Sequence, residues 1–262
     1  MASSNTSELI AHLVFSLYRL LGRSEFAQLV VVDNNSRDGS LELLAGLARA
    51  GLIQLVRNRR QRYHGPALTQ GVSWLARRQA ELDQTDQIDY VWVLDSDVIV
   101  LRSDTVADVA RLLDSSHAAL VGESAFDPWK GREMLQPFSL LLDPALVWQP
   151  RLPPFEERGD PSAALQLALE ARGLPVLGFP FVEGRYVLHL GRGTLRQIAD
   201  SGDVENRYYE WALGHHEYHF AGVADGSDIY DAFTEVFAAE VGELVPEALV
   251  AACRSARLLE LA

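Results

Sequence analysis

Apolar residues first recur at helical spacing, at Ile10, Leu13, Val14, Leu17, Leu20 and Leu21. They predict a helix over Leu9–Leu21, with Ser7 as its N-cap and Gly22 as its stop. Gln28–Val32 (QLVVV) then carries no polar alternation after Gln28, the pattern of a strand covered on both faces. It runs into Asp33-Asn34-Asn35-Ser36-Arg37-Asp38-Gly39-Ser40, a stretch dense in turn formers. A helix over Leu41–Ala50, stopped by Gly51, and a strand over Leu52–Val56 complete an α-β-α-β alternation. That order predicts a parallel sheet with right-handed crossovers.

The same reading continues downstream. His64-Gly65-Pro66 leads into a helix over Ala67–Gln79. Tyr90–Leu94 (YVWVL) is a second fully apolar strand, cut off by Asp95-Ser96-Asp97 and followed by the apolar run Val98–Leu101. A helix over Asp104–Leu113 and a strand over Ala118–Gly122 come next. Phe126–Pro154, rich in proline and tryptophan, predicts an irregular wall, with a strand inside it at Phe138–Leu142. A helix over Ser162–Arg172 follows, then strands over Val176–Phe181 and Tyr186–Leu190. Leu195–Ala262 is mostly helical, with a break at Gly222–Asp228.

Composition narrows the function. The chain has 262 residues, room for one sizeable α/β domain with a small helical appendage. Its net charge of −13 argues against nucleic acid or an anionic membrane as the main partner, since both need a basic face. Cys253 is the only cysteine, which excludes an intrachain disulfide and the zinc patterns built on paired cysteines. No apolar run reaches the ~20 residues of a membrane span. The N-terminus lacks the layout of a signal peptide, so a soluble cytoplasmic protein is expected.

Asp95 and Asp97 carry the sharpest chemical signal. Two carboxylates at the carboxyl end of a buried strand stand where open α/β sheets place ligands. Unneutralised, they repel and one tends to stay protonated; a bound Mg²⁺ or Mn²⁺ lets both ionise. The pair also reads as a plain strand-end turn, with Asp95 capping backbone and Asp97 solvated. Arg57–Arg62 (RNRRQR) is the one basic cluster, either a solvated loop or a phosphate contact. His189 precedes a Gly191-Arg192-Gly193 turn that allows close backbone approach to a ligand. His215 and His219 share a helix face, but their spacing departs from the H-E-x-x-H zinc motif, so packing is the expected role.

Three separated signatures line up: VVVDNNSRDGS (Val30–Ser40), VLDSDVIV (Val93–Val100), and the downstream pair FEERGD and YVLHLGRGT. Together they resemble family-2 glycosyltransferases of the GT-A fold, over roughly Asn5–Thr194. The resemblance implies a Rossmann-like α/β fold with a mostly parallel central sheet. It divides the chain into a GT-A domain over residues 1–200 and a helical extension over 201–262. Within the domain it implies a nucleotide-sugar half (1–122) and an acceptor half (123–200).

It also implies transfer of a sugar from a UDP-, GDP- or dTDP-sugar to an acceptor hydroxyl or amine, with inversion and with Mn²⁺ or Mg²⁺. Asp33 matches the aspartate that contacts the base, and Asn35 and Ser96 join the donor-binding set. Asp97 matches the direct metal ligand, Asp95 lies nearer the ribose or a metal-bound water, and His189 completes the metal site. Arg60 or Arg62 falls where a basic residue meets the donor. Asp160 matches the general base, although Gly159-Asp160-Pro161-Ser162 also reads as a helix N-cap. The acceptor is expected against Phe126–Phe155.

The family pattern is broken at one place. Its first buried strand ends in a Thr-Tyr-Asn-like turn, and here Ala2-Ser3-Ser4-Asn5 stands in that turn's place. The expectation is a clipped or wrongly assigned start and a sheet one strand short, at ~1–3 kcal/mol per buried group left unpaired. Two other functions stay open on the residues alone. One is a catalytically silent binding or scaffold protein. The other is a nucleotidyltransferase, whose usual Gly-rich, Lys-containing N-terminal loop is absent.

Overall fold

Helix α1 (Ser7–Leu21) is buried at every residue from Leu9 to Tyr18, as a helix apolar around most of its circumference must be. The structure is a computed structural model that describes residues 1–4, 6–21, 28–82, 87–127, 130–149, 153–155, 161–191, 227–240 and 251, and the statements below concern those. α1 packs on β5 (Val98–Val100), where Ser16 Oγ accepts the Val100 N–H at 3.1 Å. It also packs on α2 (Ser40–Arg49) and on α7 (Ser227–Glu240), whose Tyr230, Phe233 and Phe237 meet His12 edge-on.

The first sheet is parallel, in the order β1 (Ala2–Ser3), β2 (Val30–Asp33), β3 (Gln54–Arg57), with Ala2 opposite Val32 and Asp33 opposite Arg57. Helix α3 (His64–Gln79) packs against β2. The second sheet runs β4 (Val91–Leu94), β7 (Arg132–Leu142), β6 (Leu120–Asp127), β8 (Val176–Gly178). A short ladder joins β5 to β9 (Val187–His189). Helices α4 (Thr105–Ser116), α5 (Pro144–Val147) and α6 (Pro161–Ala171) complete the described elements. None of the described helices is long and apolar enough to cross a membrane.

The predicted α/β class holds, with a difference in strand direction. β4/β7, β6/β7 and β5/β9 are antiparallel, so the sheet is parallel in its first half and mixed in its second. The cause is a hairpin where the sequence predicted an irregular wall. Prolines disfavour central strands because they lack the N–H. Here Pro137 falls where the β6/β7 register shifts, between Gly122 and Ser124, and the bulge accommodates it. Phe155 is also core and not wall: it is buried, and its N–H donates to Thr69 Oγ1 of α3 at 3.0 Å.

The expected loss of the first strand is corrected too. Met1–Ser3 provides its end: Met1 C=O accepts from Val32 N–H at 2.9 Å and Ser3 C=O from Asn34 N–H at 2.7 Å. The Met1 amino group donates to Val30 C=O at 2.9 Å. Beside it, between Val30 of β2 and Val91–Leu94 of β4, lies a cavity of about 250 Å³ lined also by Leu17, Leu68 and Val72.

Candidate active site

The tip of β2 is tied down by its own side chains. Asp33 is fully buried; its Oδ1 accepts the Ser36 N–H at 3.2 Å, and its Oδ2 has no partner among the described residues. Asn35 takes a left-handed φ of 67°, which asparagine tolerates better than most residues. Asp38 is structural, with Oδ1 accepting from Ser40 N–H at 2.9 Å and Oδ2 from Ser7 N–H at 3.3 Å.

The acidic pair is placed by two ladders that meet there. Asp95 leaves β4 with its N–H still bonded to Phe138 C=O at 3.0 Å, and Asp97 enters β5. β5 pairs with β9 in a register that sets Val98 opposite His189, and Leu190 N–H donates to Asp97 C=O at 3.0 Å. The register therefore brings His189 to the acidic turn. Its Nε2 lies 3.6 Å from Asp97 Oδ1, an ionic contact too long for a good hydrogen bond. Its ring stacks on Phe138 at 4.2 Å and 12°. One ligand atom from each of Asp95, Asp97 and His189 lies within 4.8 Å of the others.

A fourth group enters from α3. His64 Nε2 lies 3.1 Å from Asp95 Oδ1, yet that oxygen has no aligned hydrogen-bond donor, so charge holds the pair. Burial pulls the His64 imidazole down, but the Asp95 carboxylate, with Asp97 behind it, outweighs burial and raises its pKa above the ordinary value. His189 behaves alike: burial lowers it, and Asp97, then Asp95, lift it to a net rise. Both imidazoles thus report a negative potential at the turn. Two carboxylates and one imidazole at this spacing, in that potential, suit a divalent cation such as Mn²⁺ or Mg²⁺.

A family model for glycosyl transferase family 2 matches residues 1–160. The chain belongs to glycosyl transferase family 2. The mannosyltransferase PcManGT from Pyrobaculum calidifontis, solved with GDP-Man and Mn²⁺, is similar over 98% of this chain and 78% of its own, at 14% identity and a TM-score of 0.53, and shares the fold. S. aureus TarS 1–349 matches at 20% identity and a TM-score of 0.45, over 63% of this chain and 51% of its own. GalNAc-T7 with UDP, GalNAc and Mn²⁺ matches at 15% identity and a TM-score of 0.46, over 89% and 55%. The chain spans about half the length of the TarS chain it matches. No curated protein matches it.

In this family 2 chain the predicted residues fall into three groups. Asp95, Asp97 and His189 converge, with Ser96 buried between the two aspartates. Asp33 and Asn35 sit at the tip of β2, while Arg60 and Arg62 are exposed on the loop tethered to that tip. Asp160, His215 and His219 lie outside the described residues. His64 was missed. The pair Gly65-Pro66 reads as a loop, but proline is tolerated in a first helical turn, and α3 starts at His64.

Proposed function

We propose that this chain transfers a glycosyl group from a nucleoside-diphosphate sugar to an acceptor hydroxyl or amine. Family membership together with the Asp95–Asp97–His189 cluster supports the reading. Those three residues would hold Mn²⁺ or Mg²⁺, which when bound neutralises charge on a diphosphate leaving group. PcManGT, which shares the fold, was solved in complex with GDP-Man and Mn²⁺. Asp33 offers a buried carboxylate oxygen without a donor, suited to a ring N–H of the base. Arg60 and Arg62 supply cations for the phosphates.

In the transfer the acceptor oxygen or nitrogen bonds to the anomeric carbon. The bond from that carbon to the diphosphate oxygen breaks, and its electron pair leaves with the diphosphate. The acceptor proton passes to Asp160, and attack on the face opposite the leaving diphosphate inverts the anomeric centre in a single displacement. Support for Asp160 is the sequence motif alone. Calorimetry with UDP and GDP, each with and without Mn²⁺, tests the proposal. The expected result is nucleotide binding that requires the cation. Absence of heat with either nucleotide in the presence of Mn²⁺ overturns it.

A further inference from the structure

Asn34 makes contacts that its neighbours at the tip of β2 do not. Its side chain is buried, and its amide grips one residue of the basic loop from both sides. Oδ1 accepts the Arg62 N–H at 2.8 Å, and Nδ2 donates to the Arg62 C=O. That is the pairing a neighbouring strand would supply. Oδ1 also accepts from Asn58 Nδ2 at 3.2 Å, while the Asn58 N–H donates to Asp33 C=O at 2.9 Å. The loop from Asn58 to Arg62 is therefore fastened at both ends to Asp33, the last residue of β2, and to Asn34 just after it.

The loop so held carries Arg59, Arg60 and Arg62, all exposed and none in ion-pair contact with a described carboxylate. Two residues past the clamp, His64 reaches Asp95. The clamp thus fixes three unneutralised guanidinium groups relative to the acidic turn. Left loose, a six-residue basic stretch in water would splay, since like charges repel and no partner orders it.

We propose that Asn34 is a positioning residue that presents the arginine loop to the diphosphate of the donor. The proposal rests on the glycosyl-transfer reading for the identity of the ligand, but the clamp itself stands on the loop geometry. Only an amide suits the role. It offers an acceptor to the Arg62 N–H and a donor to the Arg62 C=O at once. An aspartate keeps the acceptor and sets a carboxylate against a carbonyl oxygen.

The test compares wild type with Asn34→Ala and Asn34→Asp. Without nucleotide, the readouts are hydrogen exchange of the Arg62 amide and the rate of limited trypsin cleavage between Arg57 and Arg62. With nucleotide, they are donor KM, kcat and Mn²⁺ affinity. In Asn34→Ala, exchange and cleavage rise about tenfold, the factor expected for losing a net hydrogen bond or more. Donor KM rises by a similar factor, while kcat and Mn²⁺ affinity stay within about twofold. Asn34→Asp shows the same pattern in weaker form.

Unchanged exchange and cleavage in Asn34→Ala overturn the clamp. A loosened loop with an unchanged donor KM overturns the positioning role. A parallel loss of kcat, donor affinity and Mn²⁺ affinity also overturns it, because that marks general damage. If Asn34→Ala does not fold, Asn34→Asp decides by the same readouts. Failure of wild type to bind nucleotide defeats the glycosyl-transfer reading and leaves the exchange result to decide the clamp.

Discussion

Asp97→Asn separates a metal site from an acidic turn. Asp97 is 4% exposed and shares its cluster with Asp95 and His189. A cation that binds only the folded chain stabilises it by about 2.7 kcal/mol when present at 100 times its Kd. For a chain of this size each kcal/mol moves Tm by about 2–4 °C, so Mn²⁺ should raise Tm by about 5–11 °C. Removing one of three ligands should weaken binding at least 100-fold, since even outer-shell changes cost about 10- to 100-fold. At the same Mn²⁺ concentration the remaining gain is about 0.4 kcal/mol, or roughly 1 °C. The assay is a thermal melt of wild type and Asp97→Asn with and without Mn²⁺. Asp104→Asn serves as a control, because its exposed carboxylate pairs with Arg102 away from the cluster. Each Mn²⁺ shift is read against the same variant's cation-free melt, since Asp97→Asn both relieves repulsion from Asp95 and loses the contact with His189. A full Mn²⁺ shift in Asp97→Asn would refute the site.

Other outcomes follow from single residues. Asp160→Asn should lower turnover by about 10²- to 10⁴-fold with donor binding kept, measured by kinetics and calorimetry side by side. Burial lowers the His12 pKa to about 4, so the folded chain holds it neutral while the unfolded chain binds a proton below 6.5. Its contribution is full above pH 6.5 and is lost as pH falls toward 4, by about 3 kcal/mol in total, and His12→Phe should flatten that limb of the denaturation profile. Gly122→Ala would place a Cβ 2.5 Å from Leu140 Cδ2 and 3.2 Å from Ser139 O. It should cost about 1–3 kcal/mol by denaturant titration, as overpacked cores do.

The sequence announced most clearly what one short stretch encodes by itself. Tyr90–Leu94 and the carboxylates after it were readable because a buried strand shows as an unbroken apolar run and a D-x-D shows as two letters. The convergence of His189 on that turn was readable only through the family resemblance. Physically it depends on the β5/β9 register, which no local pattern states. His64 and Asn34 escaped for a related reason. Their partners are Asp95 and Arg62, distant in sequence, and hydrogen bonds across loops leave no periodicity. The β6/β7 hairpin was hidden by Pro137, because a bulge that excuses a proline appears only once both strands are in place.

The Met1 amino group has a practical consequence for chemical labelling. It sits beside the cavity between β2 and β4, bonded to Val30 C=O, and burial lowers its pKa to about 6. Its lone pair is free of a proton at neutral pH, while the bond to Val30 C=O holds the group against β2. Lys130 is the only lysine in the chain, and it stands at the turn between β6 and β7, paired to Asp127 at 3.0 Å. A reagent directed at lysine side chains therefore has one address, beside Asp127.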